Sequence, residues 1–445
     1  MTGHPTSETL YLFLTDDPAL DSLERRAVDA HLAGCDACTS ELQDLRLFVD
    51  QLRAGVGVFD YFERDGTARV TLRAAVLANY SRSAADLDVA DDFVAELLAR
   101  PVAEWDSLFA RHPHQRTANT AARVLAEVET EMKRRPHHTL ELISAADKLA
   151  SHLSDTDSLP ILADVWLQRS NTYRHMGDYM RSLEAALLSA EIASKLTVSD
   201  YPMGRALYAA AGALFKMTDY AGSLAKLQAA IGLLQPFGLN LPHARCLVLR
   251  ATILAEQGDV AAAQREYYEV LAMFERLGDR IEEARVLANL ADCDLRLTNY
   301  DDAAANAHLA IERYNALNMQ AEAIRSNWTL HLARLHRGDE DALDQLHITA
   351  EAFELLGMLG DAGFVRLDIT EELLRLEDWE QAEPIARALV GLFTRAGVTL
   401  AKVQAIDQFR RAVELREATP DFVRQLRDYM QADDSQQPFV GPLSN

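Results

Sequence analysis

Four cysteines in 445 residues are too few to staple a fold, which excludes a disulfide scaffold. Basic charge is scarce as well: 44 Lys and Arg against 68 Asp and Glu leave a formal net charge of -24. Phosphate contacts need clustered cations, so direct nucleic-acid binding and adhesion to anionic membranes are not expected. Aromatic residues make up only 7% of the chain, but 49% is hydrophobic, enough for a large core and against overall disorder. No apolar run approaches the roughly 20 residues needed to span a bilayer. Met1 to Leu10 lacks a basic flank ahead of an apolar stretch, so neither a membrane span nor a secretory signal is expected, and the expected location is cytoplasmic. Catalytic signatures are missing too: no phosphate-cradling glycine loop, no His-Glu-x-x-His helix, no nucleophile elbow. The carboxylates are scattered and form no acid–base pair. The chain is expected not to be an enzyme.

What is present is periodic. Six short marks recur: Gly177-Asp178-Tyr179, Thr218-Asp219-Tyr220, Gly258-Asp259-Val260, Thr298-Asn299-Tyr300, Gly338-Asp339-Glu340 and Glu377-Asp378-Trp379. Their central residues step by 41, 40, 40, 40 and 39, the signature of stacked helix-turn-helix repeats. Helix ends should carry left-handed caps at Gly238, Gly278, Asn318 and Gly397. An earlier, worn repeat is expected near His137, whose doublet with His138 falls at a repeat turn and should be solvated. Cys246 and Cys293 fall singly inside the pattern and read as buried apolar fillers.

The copy around Gly177 resembles a tetratricopeptide repeat: Trp166, Tyr173, Gly177, Asp178, Tyr179 and Leu183 fill that family's positions, with small Ser170 and Ser182 where helices approach closely. The resemblance implies an all-α, right-handed superhelix of about 40-residue repeats over residues 117–431. Arginines repeat in it: Arg205, Arg245, Arg285, Arg325 and Arg366, each near the start of the first helix of its repeat. In that family this register faces the inner, concave surface. Guanidinium forks lining a groove would grip an acidic or carboxylate-bearing segment. The alternative is pairing within the chain, as between Arg285 and Glu282 or Glu283. Asn171, Tyr208, Asp292 and Trp328 are further groove positions for which packing or solvation is the competing role.

At the other end, His31 precedes Cys35 by one helical turn, and Cys38 completes a Cys-x-x-Cys loop. Two thiolates and an imidazole so spaced can converge on one tetrahedral zinc ion. A redox dithiol, or two cysteines that merely mark a helix boundary, stay open as alternatives. Residues Glu8 to Cys38, with a Leu-rich helix, an acidic turn and Glu24-Arg25-Arg26-Ala27-Val28-Asp29-Ala30 before His31-Leu32, resemble the zinc-binding anti-sigma domain of bacteria. The resemblance implies a fourth ligand upstream, for which His4 is the match, with Asp16, Asp17 or a water as substitutes. It also implies partner contacts on a following amphipathic helix, Glu41 to Arg53, through Phe48 and Leu52.

The expected organisation is a zinc-binding helical domain at 1–53, a helical adaptor at 54–116, the repeat solenoid at 117–431 and a disordered tail at 432–445. The resemblances imply a regulator that sequesters an extracytoplasmic-function sigma factor or another regulatory protein, with the superhelix as sensor or release element. The alternative is a scaffold that holds an acidic peptide or serves a partner protease, its zinc purely structural. Oxidation of Cys35 and Cys38, with loss of zinc, is a third route of control.

Overall fold

The computed structural model describes residues 92–132, 135–196, 199–237 and 241–432, together with Leu10, Phe13, 22–35, Cys38, Thr39, Leu42 and Phe439. Every regular element among them is a helix. After α1 (Ser22–Leu32) come α2 (Trp105–Arg111), α3 (Ala118–Glu131), α4 (Pro136–Ala150), α5 (Asp155–His175), α6 (Tyr179–Ala193), α7 (Asp200–Lys216) and α8 (Tyr220–Leu234). Then follow α9 (Leu241–Glu256), α10 (Val260–Leu277), α11 (Arg280–Arg296), α12 (Tyr300–Ala316) and α13 (Gln320–Arg337). The series ends with α14 (Ala342–Leu355), α15 (Leu359–Arg375), α16 (Trp379–Arg395), α17 (Leu400–Glu414) and α18 (Pro420–Gln431). Two compact units divide the chain, Met1–Ile253 and Leu254–Asn445.

The recurrent marks are helix terminators, and their chemistry explains their spelling. At each one the residue before the acid or amide is left-handed: Gly177 (φ 78°), Thr218 (59°), Gly258 (90°), Thr298 (63°), Gly338 (86°) and Glu377 (58°). The next N–H then reaches back to a carbonyl five residues earlier, as from Asp178 to Tyr173 (2.9 Å) and from Asn299 to Asp294 (2.8 Å). This closes the first helix with a Schellman motif. The same acid opens the second helix: the carboxylates of Asp178, Asp219, Asp259 and Asp378 accept the N–H of Arg181, Gly222, Ala262 and Gln381 at 2.8–3.1 Å. The fifth mark differs. Asp339 and Asp341 both hold Arg334, at 3.0 and 2.7 Å, and the next helix starts two residues late, at Ala342. The expected left-handed caps are found at Gly278, Asn318 and Gly397, while Gly238 lies outside the described residues.

In the first unit, residues 92–98 and α2 share a core with α3 to α5, built on Phe93, Leu97, Trp105, Leu108, Val124, Leu142, Ile143 and Val165. The chain breaks at Pro101 as its ring requires, and Trp105 Nε1 donates to Leu97 O across the break (2.8 Å). His137 and His138 sit in the first turn of α4 rather than in a turn between helices, and His138 Nδ1 is 3.0 Å from Glu141. Ser170 and Ser182 are buried against each other (3.2 Å), the close approach their size anticipates.

The second unit packs Phe353, Leu389, Phe393, Phe409 and Phe422 into one core. Gly363 is small for a reason: a Cβ there would strike the Phe393 ring. The last helix is tied back by charge as well as by Phe422 and Leu426. Arg427 bonds Asp368 on α15, which also accepts Trp328 Nε1 (2.7 Å), and Arg424 pairs with Glu371 (3.0 Å). From the tail, Phe439 packs on Phe422 and Tyr429, with ring centroids 5.8 and 5.1 Å apart. Residues 54–91 of the expected adaptor lie outside the described residues.

Candidate metal centre

Helix α1 presents Val28 and Leu32 at four-residue spacing, and they pack with Leu10, Phe13 and Leu42 in a small apolar cluster. The helix ends at Ala33-Gly34, which turns the chain so that Cys35 and Cys38 come back beside its last turn. His31, Cys35 and Cys38 each offer one ligand atom, and these atoms lie within 4.8 Å of one another. Cys38 is buried, while His31 and Cys35 are half-buried. Zinc bonds of about 2.3 Å to sulfur and 2.0–2.1 Å to nitrogen put tetrahedral ligands about 3.3–3.8 Å apart. The observed spacing meets that with small side-chain rotations, so the donor set fits a metal. No other cluster of three such side chains occurs among the described residues.

The remaining sequence candidates divide. His4, Asp16, Asp17, Phe48 and Leu52 lie outside the described residues. Cys246 and Cys293 are free and buried, and burial pushes both thiols up to about 12. Thiols held protonated at neutral pH are inert, which suits fillers.

Arg205, Arg245, Arg285 and Arg325 occupy equivalent places at the front of α7, α9, α11 and α13, whereas Arg366 lies two residues further into α15 and so out of that register. Carboxylates of this chain pair with several of them. Arg205 pairs with Asp164 (3.1 Å), Arg285 with Glu282 (3.1 Å), Arg325 with Asp361 (3.4 Å) and Arg366 with Glu354. Among the other groove positions, Asn171 bonds Gln168 (3.4 Å) and Asp292 lies 3.8 Å from Arg296. Trp328 is taken by Asp368.

Sequence reading missed the buried acids. Asp294 is wholly buried and accepts from Gln264 and from Asn306 (2.8 Å), and burial raises its carboxyl above the usual range. Asp368 is likewise buried. No other copy carries an acid at either register, and that contrast was the available signal.

Residues 15–39 match a family model described as "Putative zinc-finger", of the anti-sigma factor type. The match contains His31, Cys35 and Cys38 and stops short of His4. No curated protein matches the chain. Among solved structures, aspartyl phosphate phosphatase F from Bacillus subtilis is 13% identical, covering 90% of this chain and 98% of that one, with a TM-score of 0.49. A signal transduction ATPase with numerous domains from Pyrococcus horikoshii, bearing a tetratricopeptide repeat sensor, is 12% identical. It covers 74% of this chain and 52% of that one, with a TM-score of 0.52. Identities this low speak for the fold alone. No helix among the described residues is long and apolar enough to cross a membrane. The chain thus joins a segment matching the anti-sigma type of zinc-finger, its His/Cys/Cys cluster assembled, to an all-α array of tetratricopeptide-like repeats.

Proposed function

We propose that this protein is a cytoplasmic regulator of the anti-sigma type, which binds zinc through His31, Cys35 and Cys38 and performs no chemistry of its own. His4 is the proposed fourth ligand, with Asp16, Asp17 or a water as substitutes. The observation that carries the reading is the convergence of three zinc-type donors inside the segment matched by that family. Zinc here would act as a cross-link, fixing the angle between α1 and the chain after Cys38. The partner is an extracytoplasmic-function sigma factor, covered by α1 and by the segment Glu41 to Arg53 with Phe48 and Leu52. Regulation is competition: the sigma factor cannot meet polymerase while that surface is covered. The repeat array would serve as sensor, a reading supported by the repeat sensor named in the Pyrococcus protein.

A scaffold for acidic peptides is the weaker reading. Its ligand would have to displace Asp164, Glu282, Asp361 and Glu354 from Arg205, Arg285, Arg325 and Arg366. Each displacement exchanges one modest ion pair for another, so little affinity is gained.

The test mixes the zinc-loaded full chain with the sigma factors of its own genome and follows complex formation by size-exclusion chromatography and calorimetry. A one-to-one complex that Cys35→Ser and Cys38→Ser abolish is the expected result. If no sigma factor encoded beside the gene binds, the proposal fails.

A further inference from the structure

We infer that Thr39 is the positioning residue of the metal centre, the side chain that ties its histidine arm to its cysteine arm. The inference rests on the zinc reading above. The ligands come from two pieces of chain. His31 stands on the last turn of α1, whereas Cys35 and Cys38 belong to the loop and helical residues beyond Gly34. Backbone bonds across this junction are few. Gly34 N–H reaches His31 O at 3.1 Å, and Cys35 N–H reaches Leu32 O only at 3.5 Å, the edge of a hydrogen bond.

The Thr39 hydroxyl closes the junction. Its Oγ1 lies 3.0 Å from Leu32 O and 3.0 Å from Cys35 O. The Thr39 N–H also donates to Cys35 O at 3.0 Å. Leu32 O is among the last four carbonyls of α1, which have no intrahelical donor. The hydroxyl has a single proton, so it shares one bond between two acceptors, and both acceptors flank metal ligands. Leu32 follows His31, Cys35 is itself a ligand, and Thr39 follows Cys38. One side chain therefore fixes backbone next to all three donors. A cysteine sulfur is one rotatable bond from its Cα, so a tilt of the Cys35 peptide moves the sulfur directly. The β-branch of threonine restricts its own rotamer, which keeps the hydroxyl aimed. Partners of this kind orient the ligands, and their removal typically lowers metal affinity about 10- to 100-fold.

The experiment uses the full chain with Zn2+ alone as probe, titrated against a chromogenic chelator. Thr39→Val keeps shape and loses the hydroxyl; it should bind zinc about 10- to 100-fold more weakly. Thr39→Ser restores the hydroxyl and should stay within about threefold of the parent, since oxygen and proton are both kept. Cobalt substitution should give the same thiolate charge-transfer bands in all three at saturation, because the ligand set is unchanged. The thermal transition of the repeat array reports that each variant is otherwise folded. A parent chain that binds one zinc while Thr39→Val matches it within twofold would overturn the inference and leave the zinc reading standing. Serine as weak as valine would overturn it also. A parent chain that binds no zinc at one per chain sinks both.

Discussion

Removing the metal should melt α1 and leave the repeats intact. Helix α1 has 11 residues, below the roughly 12–15 at which isolated helices become even marginal in water. Its apolar support is thin: Leu10 and Val28 are wholly buried, with Phe13, Leu32 and Leu42 partly buried around them. Burying that leucine and valine stabilises by about 3–6 kcal/mol together. A structural zinc contributes about 10–16 kcal/mol to folding, so the metal dominates. The array core from Phe93 to Val165 contains none of these residues, and its stability should not follow the metal. Hydrogen exchange on the full chain, with and without a strong chelator, separates the two. Amides of α1 should exchange at least about 100-fold faster after chelation, equivalent to about 2.8 kcal/mol of lost local protection. Amides of α5 to α8 should not change, and Cys38→Ser should reproduce the chelated pattern without chelator. Exchange in α1 that rises less than about threefold would refute the reasoning, because the apolar cluster would then suffice by itself.

Three further outcomes follow from the array. Gly363→Ala should destabilise the second unit by about 1–3 kcal/mol, since its Cβ meets the Phe393 ring, whereas Gly278→Ala should cost only about 1 kcal/mol of left-handed strain, having open space around it; thermal melts give both. Asp368→Ala strips Arg427 and Trp328 of their shared buried acceptor and should cost about 3–5 kcal/mol; a loss below about 1 kcal/mol in denaturant unfolding would show that water replaces it. Burial holds the imidazoles of His243, His331, His336 and His347 below their ordinary value, and Arg334 adds to the effect at His331. The unfolded chain therefore takes up protons first as pH falls. Stability is full above about pH 6.5 and declines below it, toward the folded-state values, and His331→Leu should flatten that decline in melts run from pH 7.5 to 5.

Local chemistry explains how much was readable in advance. A left-handed residue followed by a capping acid needs only adjacent positions, so Gly177-Asp178 and Gly258-Asp259 announce themselves. The same geometry at Thr218, Thr298 and Glu377 is spelled with residues that disfavour it, and there the constant spacing carried the reading instead. At Gly338-Asp339 spacing and spelling agree, yet the structure lengthens the turn because Arg334 claims both Asp339 and Asp341. The metal centre was legible for a similar reason: one helical turn and a three-residue step set where His31, Cys35 and Cys38 can go.

By itself, then, the amino-acid order determined the helical class, the forty-residue rhythm and the meeting of three metal donors, because each depends on neighbours within a turn or two. The tertiary structure alone decided which charges are already engaged. Arg205 finds Asp164 across 41 residues, Arg325 finds Asp361 across 36, and Asp368 collects Trp328 and Arg427 from 40 and 59 residues away. Helix stacking brings such pairs together from about one repeat apart or more. No local pattern records the angle at which one helix pair rests on the next, and that angle selects the partner.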